Sequence, residues 1–193
     1  MTTQAVKLDY APRRAFLPFH NRTERWACLV AHRRAGKTVA AVNDLIRAAI
    51  TCTGPNPLFG YIAPYRAQAK SVAWGYLKQF AAPITASTNE QELTVTLVNG
   101  AAIRLFGADN ADALRGGYFD DVVLDEYADM FPGVWGEVIR PMLSDRQGCA
   151  TFIGTPKGRN AFFDRYRDAL AEPDRWFTFM LRASDTGILS AEE

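Results

Sequence analysis

The sequence predicts an α/β fold with a mostly parallel central β-sheet flanked by helices on both faces. Short apolar runs of strand length alternate along the chain with longer segments whose apolar residues recur at helical spacing. Such alternation favours a parallel sheet, because each helix carries the chain back to the same end of the sheet. Ligands bind these sheets at the carboxyl ends of the strands, so the residues that follow each strand are the first candidates for a site.

Bulk composition indicates one globular domain. The chain has 193 residues, of which 48% are hydrophobic and 22% charged, which is enough apolar material for one well-buried core. The formal net charge is +1, so any contact with nucleic acid must come from a local basic patch. Three widely spaced cysteines are typical of reduced thiols and do not fit a zinc motif. No apolar run approaches membrane-spanning length, so we expect neither a membrane protein nor a secreted one.

The first elements follow from apolar periodicity. Residues 26–30 are predicted to form a buried strand, and apolar residues recur at helical spacing over residues 39–49. A turn cluster at 53–57 precedes a second buried strand at 58–63, and residues 65–80 are predicted to be helical.

An antiparallel ribbon is predicted to be inserted next. Apolar residues alternate with threonines over residues 93–97, Asn99-Gly100 is a strong hairpin signal, and the alternation resumes at residues 103–105.

Strands and helices then alternate again. We predict strands at residues 120–124, 150–153 and 176–181, and helices at residues 133–143 and 159–171.

A phosphate-binding loop follows the first strand. The segment matches G-x-x-x-x-G-K-[ST] with alanine in place of the first glycine, and its residues are Ala31, His32, Arg33, Arg34, Ala35, Gly36, Lys37 and Thr38. Between a strand and a helix, the backbone N–H groups of this loop and the positive end of the helix both face the phosphates. Lys37 would reach the β- and γ-phosphates, and Thr38 would supply a hydroxyl ligand to Mg²⁺. The motif predicts a P-loop nucleoside triphosphatase.

Two acids end the apolar strand at residues 120–124. Asp125 is placed to hold the coordination shell of Mg²⁺, and Glu126, one residue beyond the sheet, to polarise the attacking water. The alternative is a solvated strand end, which acids often occupy. The phosphate-binding loop upstream favours the catalytic interpretation.

These motifs together resemble one family. Pro12-Arg13, Phe19-His20, Arg25-Trp26, the phosphate-binding loop, Asp125-Glu126 and Gly154-Thr155-Pro156 are similar to the large terminase subunit of tailed bacteriophages over about residues 10–186. The resemblance implies an ASCE-type P-loop ATPase that uses ATP and Mg²⁺ to drive DNA into a procapsid. It also implies that Thr155 senses the γ-phosphate; a simple turn before Pro156 is the alternative.

The resemblance assigns roles to two arginines. Arg33, inside the loop, would contact the γ-phosphate or sense the nucleotide state, whereas Arg34 would face away and brace the loop. Arg115, eleven positions before Glu126, would be an arginine finger offered to a neighbouring subunit. A surface arginine beside a double glycine is the alternative for Arg115.

Adenine recognition is not predicted by a motif. The family has a glutamine-containing segment near the amino terminus, but the run from Pro12 to Phe16 contains no glutamine. Tyr10, Arg14 or Phe16 could stack on the base, while Phe16 and Phe19 equally fit the core.

The resemblance also implies partners and domain boundaries. We expect an ATPase domain at residues 1–182, with residues 183–193 starting a linker to a nuclease domain absent from this chain, so nuclease activity is not expected. The expected partners are double-stranded DNA, the portal protein, the small terminase subunit and further copies of the chain in a ring. The expected location is the host cytoplasm, with transient docking on the procapsid portal.

A basic group of Lys157, Arg159, Arg165 and Arg167 would contact the DNA backbone or form ordinary solvated charges.

Two other functions remain open from the sequence. A helicase-like or other nucleic-acid-remodelling P-loop ATPase would share the loop and the acid pair. A nucleotide-binding scaffold that does not hydrolyse would share them too, but its Glu126 would be dispensable.

Overall fold

The computed structural model of the protein describes residues 7–114 and 117–185. Within these ranges it has an eight-stranded sheet. Its strands are β1 Trp26–Ala31, β2 Leu58–Ala63, β3 Thr85–Asn89, β4 Thr94–Leu97, β5 Ala102–Gly107, β6 Asp121–Asp125, β7 Cys149–Gly154 and β8 Trp176–Leu181.

The sheet is mostly parallel, as predicted. Its strand order is β3-β4-β5-β2-β6-β7-β1-β8. Every neighbouring pair from β5 to β8 is parallel, and β3 and β4 are added antiparallel at one edge. β5 belongs to both parts, because it pairs antiparallel with β4 and parallel with β2. The inserted ribbon is therefore continuous with the main sheet.

Helices connect the parallel strands. They are α1 Leu17–His20, α2 Lys37–Thr51, α3 Arg66–Ala69, α4 Gly75–Ala81, α5 Ala111–Leu114, α6 Arg140–Ser144 and α7 Ala161–Ala171. A π-helical segment, Lys70–Trp74, joins α3 to α4, and another, Val134–Ile139, leads into α6. The helices predicted at residues 65–80 and 133–143 thus contain a wider turn. In the described ranges, none of the helices has both the length and the apolarity needed to cross a membrane.

The two faces of the sheet bury separate clusters. Side chains alternate along β1, so Ala27 and Leu29 join the cluster that α2 and α4 cover, while Cys28 and Val30 join the other. That second cluster is covered by α7, α6 and the π-helical segment before α6. Both faces are apolar because both are covered, as expected for a parallel sheet.

The edge strand β3 is missing from the sequence-based prediction. Its residues, Thr85–Asn89, are polar and mostly exposed, so they lack apolar alternation. The hairpin turn was predicted correctly, and it has a second use: Asn99 Nδ2 donates to the carbonyl oxygens of Ala49 and Ile50 at 2.9 and 3.1 Å. These bonds satisfy carbonyls at the end of α2 and tie the ribbon to that helix.

A buried ionic cluster lies where α2 packs on the sheet. Asp44 of α2 pairs with Arg22 at 2.6 Å and with Arg47 at 2.7 Å, and His20 Nδ1 lies 3.2 Å away. Asp121, at the start of β6, is 6% exposed, and its Oδ1 atom has no hydrogen-bond partner. Burial raises the pKa of Asp121 to about 7, although the charge of Arg22 opposes the rise.

Asp121 should make the protein less stable as pH rises. The pKa of Asp121 is higher in the folded than in the unfolded chain, so its contribution to stability is complete below about pH 4 and is lost as pH rises to about 7. We predict that Asp121→Asn removes this loss. The free energy of unfolding of the variant, relative to the original protein, should rise by about 2 to 4 kcal/mol between pH 4.5 and pH 8.

Urea unfolding at a series of pH values measures this difference. Asp44→Asn is the opposite control, because burial would raise the pKa of Asp44 but hydrogen bonds from His20 and Arg22 outweigh it and lower that pKa. Its stability relative to the original protein should stay constant over this pH range, because the contribution of Asp44 is complete above about pH 4 and is lost only below it. Parallel pH profiles for Asp121→Asn and the original protein would contradict the prediction.

Candidate active site

Three adjacent strands end at the candidate site. β1 leads into the phosphate-binding loop, β6 ends at Asp125, and Thr155 directly follows β7. The order β6-β7-β1 places these three ends side by side, with Asp125 in register with Ile153 and Val30 in register with Gly154. The motifs that lie far apart in the sequence therefore meet at one edge of the sheet, as predicted.

The phosphate-binding loop has the backbone that its sequence requires. Gly36 has φ +97°, in the left-handed region that glycine tolerates, and α2 begins at the next residue. Arg34 is also left-handed, with φ +64°. Ala31 and Ala35 are buried, and the backbone N–H of His32 donates to Leu181 O at 3.2 Å, which anchors the loop to β8.

Arg13 braces this loop from outside. Its Nη1 donates to Ala35 O at 2.7 Å and to Arg34 O at 3.2 Å. The guanidinium also lies 3.4 Å from the position that a Cβ on Gly36 would occupy. The sequence carries no signal for this contact beyond the resemblance around Arg13, because no spacing rule connects residues so far apart in the chain. The structure thus adds Arg13 as a brace of the loop, with the carbonyl of Arg34 as one of its acceptors.

Lys37 contacts the groups that follow the two neighbouring strands. It is 9% exposed, and its Nζ donates to Thr155 Oγ1 at 3.0 Å and lies 3.6 Å from Glu126 Oε1. Thr155 Oγ1 in turn lies 3.4 Å from the same Glu126 oxygen. The structure therefore brings together three of the predicted residues in one triangle.

Asp125 and Thr38 meet at a buried tyrosine. Tyr61, on β2, donates its hydroxyl to Asp125 Oδ2 at 2.5 Å, and Thr38 forms a side-chain hydrogen bond with the same phenol. Burial raises the pKa of Asp125, while the Tyr61 hydrogen bond opposes the rise. Tyr61 is not among the residues predicted for the site, although a phenol in an otherwise apolar strand needs a hydrogen-bonding partner. The two predicted Mg²⁺ ligands are thus within one hydrogen-bonded chain.

Glu126 has an unusual backbone for its residue type. Its φ is +49°, a left-handed conformation that costs energy for a residue with a Cβ. Its Oε2 atom is buried and makes no hydrogen bond. Lys157 Nζ lies 3.6 Å from Oε2 and 2.5 Å from Asp129 Oδ2. Strain and an unsatisfied carboxylate oxygen are typical of functional positions.

The predicted catalytic arginines differ in what can be described. Arg33 is exposed at the loop, with no ion pair or hydrogen bond to any side chain in residues 7–114 and 117–185. Arg115 lies outside the described residues, so its predicted role in a neighbouring subunit stays a prediction.

A cavity of about 220 Å³ lies beside the loop. Its walls include Gly36 and Val39 on one side and Tyr10, Arg13 and Phe80 on the other. Tyr10 is held there by a hydrogen bond of 2.9 Å between its hydroxyl and His20 Nε2.

The residues predicted to stack on the adenine base differ in their positions. Phe16 and Phe19 are core residues, 1% and 0% exposed. Of the stacking candidates, Tyr10 lines the cavity, Phe16 lines it only from the core, and Arg14 is not among the lining residues.

The predicted basic group is dispersed. The Arg165 guanidinium turns inward and lies 5.6 to 5.9 Å from the ring centroids of Trp135, Phe152 and Trp176. Lys157 binds the acids described above. Arg167 also lies 3.7 Å from Asp164, so three of the four members have partners within the protein.

Fold and site together define a class of protein. A strand, a left-handed glycine loop and a helix that begins at Lys37-Thr38 form a P-loop, and Asp125-Glu126 on a nearby strand end is the arrangement of P-loop nucleotide enzymes. The model of the family "Terminase large subunit, T4likevirus-type, N-terminal" matches residues 28–185. The chain belongs to this family, as the sequence resemblance implied.

Curated relatives carry the same name. The chain is 51% identical over 57 residues to the "Terminase, large subunit" of Thermus phage G20c, which covers 30% of this chain and 12% of that protein. It is 28% identical over 148 residues to the protein of that name from Escherichia phage T5, which covers 74% of this chain and 33% of that protein. The chain thus spans a third or less of the curated relatives it matches.

Solved structures share the fold. The ATPase domain of the large terminase of Thermus phage P74-26 superposes with a TM-score of 0.75 at 27% identity, covering 90% of this chain and 82% of that one. The large terminase of a second thermophilic bacteriophage, solved in complex with ADP, superposes with a TM-score of 0.66 at 18% identity, covering 88% and 43%. The P-loop α/β architecture expected from the sequence is confirmed.

Removing the Tyr61 hydroxyl should destabilise the protein. Tyr61→Phe leaves the buried Asp125 carboxylate without its short hydrogen bond, and an unsatisfied buried acceptor costs about 1 to 3 kcal/mol. Urea unfolding at pH 7 measures the loss. Tyr76→Phe, at an exposed tyrosine of α4, is the control and should change stability by less than about 0.5 kcal/mol. Equal stability of the two variants would mean that the Tyr61–Asp125 bond contributes nothing.

Proposed function

We propose that this domain hydrolyses ATP with Mg²⁺ and that hydrolysis drives the translocation of double-stranded DNA in phage packaging. One observation carries the proposal. Lys37, Thr155 and Glu126 meet within 3.6 Å at the carboxyl ends of β1, β7 and β6, beside the Asp125–Tyr61–Thr38 chain. Phosphate recognition, metal ligation and activation of water are the three tasks of such an enzyme, and each has its residues here.

The relatives support the nucleotide and the reaction. The Thermus phage P74-26 domain is described as an ATPase domain, and the large terminase of the second thermophilic bacteriophage was solved with ADP and with ATP-gamma-S. Family membership favours a packaging motor over a helicase-like enzyme.

Substrate binding would begin at the loop. The loop amides and the start of α2 face the phosphates, and Lys37 would exchange its contact with Glu126 for the β- and γ-phosphate oxygens. Arg13 keeps the loop in its binding conformation through Ala35 O and Arg34 O. The cavity between Val39 and Tyr10 is the natural place for the adenine base, because it adjoins the loop and has aromatic walls.

The residues present fit a magnesium ion. Thr38 and Asp125 offer the hard oxygen ligands that Mg²⁺ prefers, and the Asp125 carboxylate is only 2% exposed, so a cation would compensate a buried negative charge. When bound, Mg²⁺ would neutralise charge on the phosphate oxygens. Tyr61 would orient the Asp125 carboxylate and the Thr38 hydroxyl toward it.

The chemical step would use Glu126 and positive charge. Glu126 would hold the attacking water and accept its proton, and Lys37 would stabilise charge on the transferred phosphoryl group. Arg33, exposed at the loop, and Arg115, from a neighbouring subunit, would add further charge. Thr155 would sense the γ-phosphate, because its hydroxyl already contacts both Lys37 and Glu126.

The assembly is proposed from family membership. In the host cytoplasm, copies of the chain would form a ring on the procapsid portal protein, receive DNA from the small terminase subunit and thread it inward. A scaffold that binds nucleotide without turnover is the second candidate, and Glu126 separates the two.

Glu126→Gln should abolish turnover and spare binding. The substitution keeps the shape of the side chain but removes its ability to accept a proton, so kcat should fall by about 10² to 10⁴. Affinity for ATP, measured by calorimetry, should change by less than about threefold. Phosphate release is assayed at a protein concentration high enough for subunits to associate. Glu137→Gln, at an exposed glutamate, is the control; equal rates in both variants and the original protein would support the scaffold.

Arg13→Ala should weaken nucleotide binding through the loop. Two hydrogen bonds to loop carbonyls are lost and each contributes about 1 kcal/mol, so we expect ATP affinity to fall by roughly fivefold to thirtyfold. Arg14→Ala removes the same charge one residue away and is the matched control, because Arg14 makes no side-chain contact with the loop in the described part of the chain. Calorimetric titration with ATP-gamma-S compares them. Equal losses of affinity in Arg13→Ala and Arg14→Ala would show that positive charge near the site matters and that the two hydrogen bonds from Arg13 do not.

A further inference from the structure

Glu126 lies between two lysines. Lys37 Nζ is 3.6 Å from Oε1 on one side, and Lys157 Nζ is 3.6 Å from Oε2 on the other. Lys37 belongs to the phosphate-binding loop, whereas Lys157 belongs to the loop after β7, two residues beyond Thr155. The Glu126 carboxylate therefore contacts two cations. Bound ATP would draw Lys37 to its phosphates, and Lys157 would remain beside Glu126.

Lys157 is itself held by a second acid. Its Nζ lies 2.5 Å from Asp129 Oδ2, in the short helical turn that follows Glu126. A lysine is ordinarily charged at neutral pH, and the hydrogen bond with Asp129 raises the pKa of Lys157 further. Asp129 thus fixes Lys157 at a distance from which it reaches the unsatisfied Oε2 atom of Glu126.

We propose that Lys157 is a positioning residue for the hydrolysis reaction: it holds the Glu126 carboxylate in place when Lys37 leaves it for the phosphates, and Asp129 holds Lys157. This inference rests on the proposed ATPase function. It gives a role in the site to a lysine for which the sequence predicts either a DNA contact or an ordinary solvated charge.

Charge balance is the reason that a second cation is needed. In the structure, Glu126 faces two ammonium groups. Bound ATP would occupy Lys37 and would bring several negative charges close to Glu126, so the carboxylate would be repelled from the position in which it orients water. Lys157 lies near the other carboxylate oxygen and is also held by Asp129, so it would keep its contact with Glu126.

The backbone conformation of Glu126 does not by itself fix the position of its carboxylate, so a side-chain contact is needed. The left-handed conformation of Glu126 sets the direction of its Cβ, but the side-chain torsions beyond it are free to rotate. Thr155 and Lys37 restrain Oε1, and both would turn to the γ-phosphate. Among the described residues, Lys157 is the remaining charged contact of the carboxylate.

Steady-state kinetics of Lys157→Gln tests the proposal. At a protein concentration where the original rate per subunit is constant, we expect kcat to fall about 10- to 100-fold, as for a misplaced catalytic base. Affinity for ATP-gamma-S should stay within about twofold, because Lys157 acts on Glu126 and not on the nucleotide. Lys157→Arg, which keeps the charge, should restore kcat to within about fivefold of the original. Arg159→Gln, which removes a charge from the same loop without a contact to Glu126, is the control.

A second variant, Asp129→Asn, tests whether the contact with Asp129 fixes the position of Lys157. Asp129→Asn should lower kcat less than Lys157→Gln, because Lys157 keeps its charge but loses its fixed position. The double variant Lys157→Gln/Asp129→Asn should be no slower than Lys157→Gln alone, since Asp129 acts through Lys157. If the losses of kcat in the two single variants add up in the double variant, Asp129 does not act through Lys157.

Three outcomes would overturn the inference. They are an unchanged kcat in Lys157→Gln, a loss of nucleotide affinity as large as the loss of kcat, or a failure of Lys157→Arg to recover activity while its thermal unfolding matches the original protein. If Lys157→Gln does not fold, the kcat values of Lys157→Arg and Asp129→Asn test the inference in its place. Failure of the proposed function looks different: the original protein and Glu126→Gln would then hydrolyse ATP equally slowly.

Discussion

The parallel pairing of β6, β7 and β1 is the constraint on which the site depends. Three loops leave the same edge of the sheet from neighbouring strands, so an ammonium, a hydroxyl and a carboxylate separated by up to 118 positions in the chain lie within 3.6 Å of one another. A shift of one residue in either pairing would turn alternate side chains to the other face and separate these groups. Two apolar clusters, one on each face, hold the register in place.

Electrostatic balance is the second organising feature. Lys37 and Asp125 are nearly buried charged side chains, and each has a partner in the protein: Lys37 has Thr155 and Glu126, and Asp125 has Tyr61. Lys37, which is buried, and Glu126, which is half-buried, therefore compensate each other without a ligand. A triphosphate would substitute its own oxygens for the carboxylate, so the site exchanges one ion pair for another and never exposes an uncompensated lysine.

Most of the fold, and the centre of the site, could be predicted from the sequence because both depend on local patterns. Strand β8 was predicted with its observed bounds, since its apolar run is bounded clearly, and the P-loop has its own spacing. β3 was missed because an exposed polar edge strand carries no periodic signal. Arg13, Tyr61 and the role of Lys157 were missed for a different reason: each acts through a contact with a residue distant in the chain, and only the tertiary structure brings the two together.

The four tryptophans have a consequence for spectroscopy. Trp26 and Trp176 begin their parallel strands, and Trp135 packs edge-on against Trp26, all at the end of the sheet opposite the P-loop. Trp74 directly precedes α4, with its indole N–H bonded to Glu90. None of them lines the cavity beside the loop. Intrinsic tryptophan fluorescence of this domain therefore reports on the packing of its far end and its ribbon, and it is nearly silent about what occupies the nucleotide site.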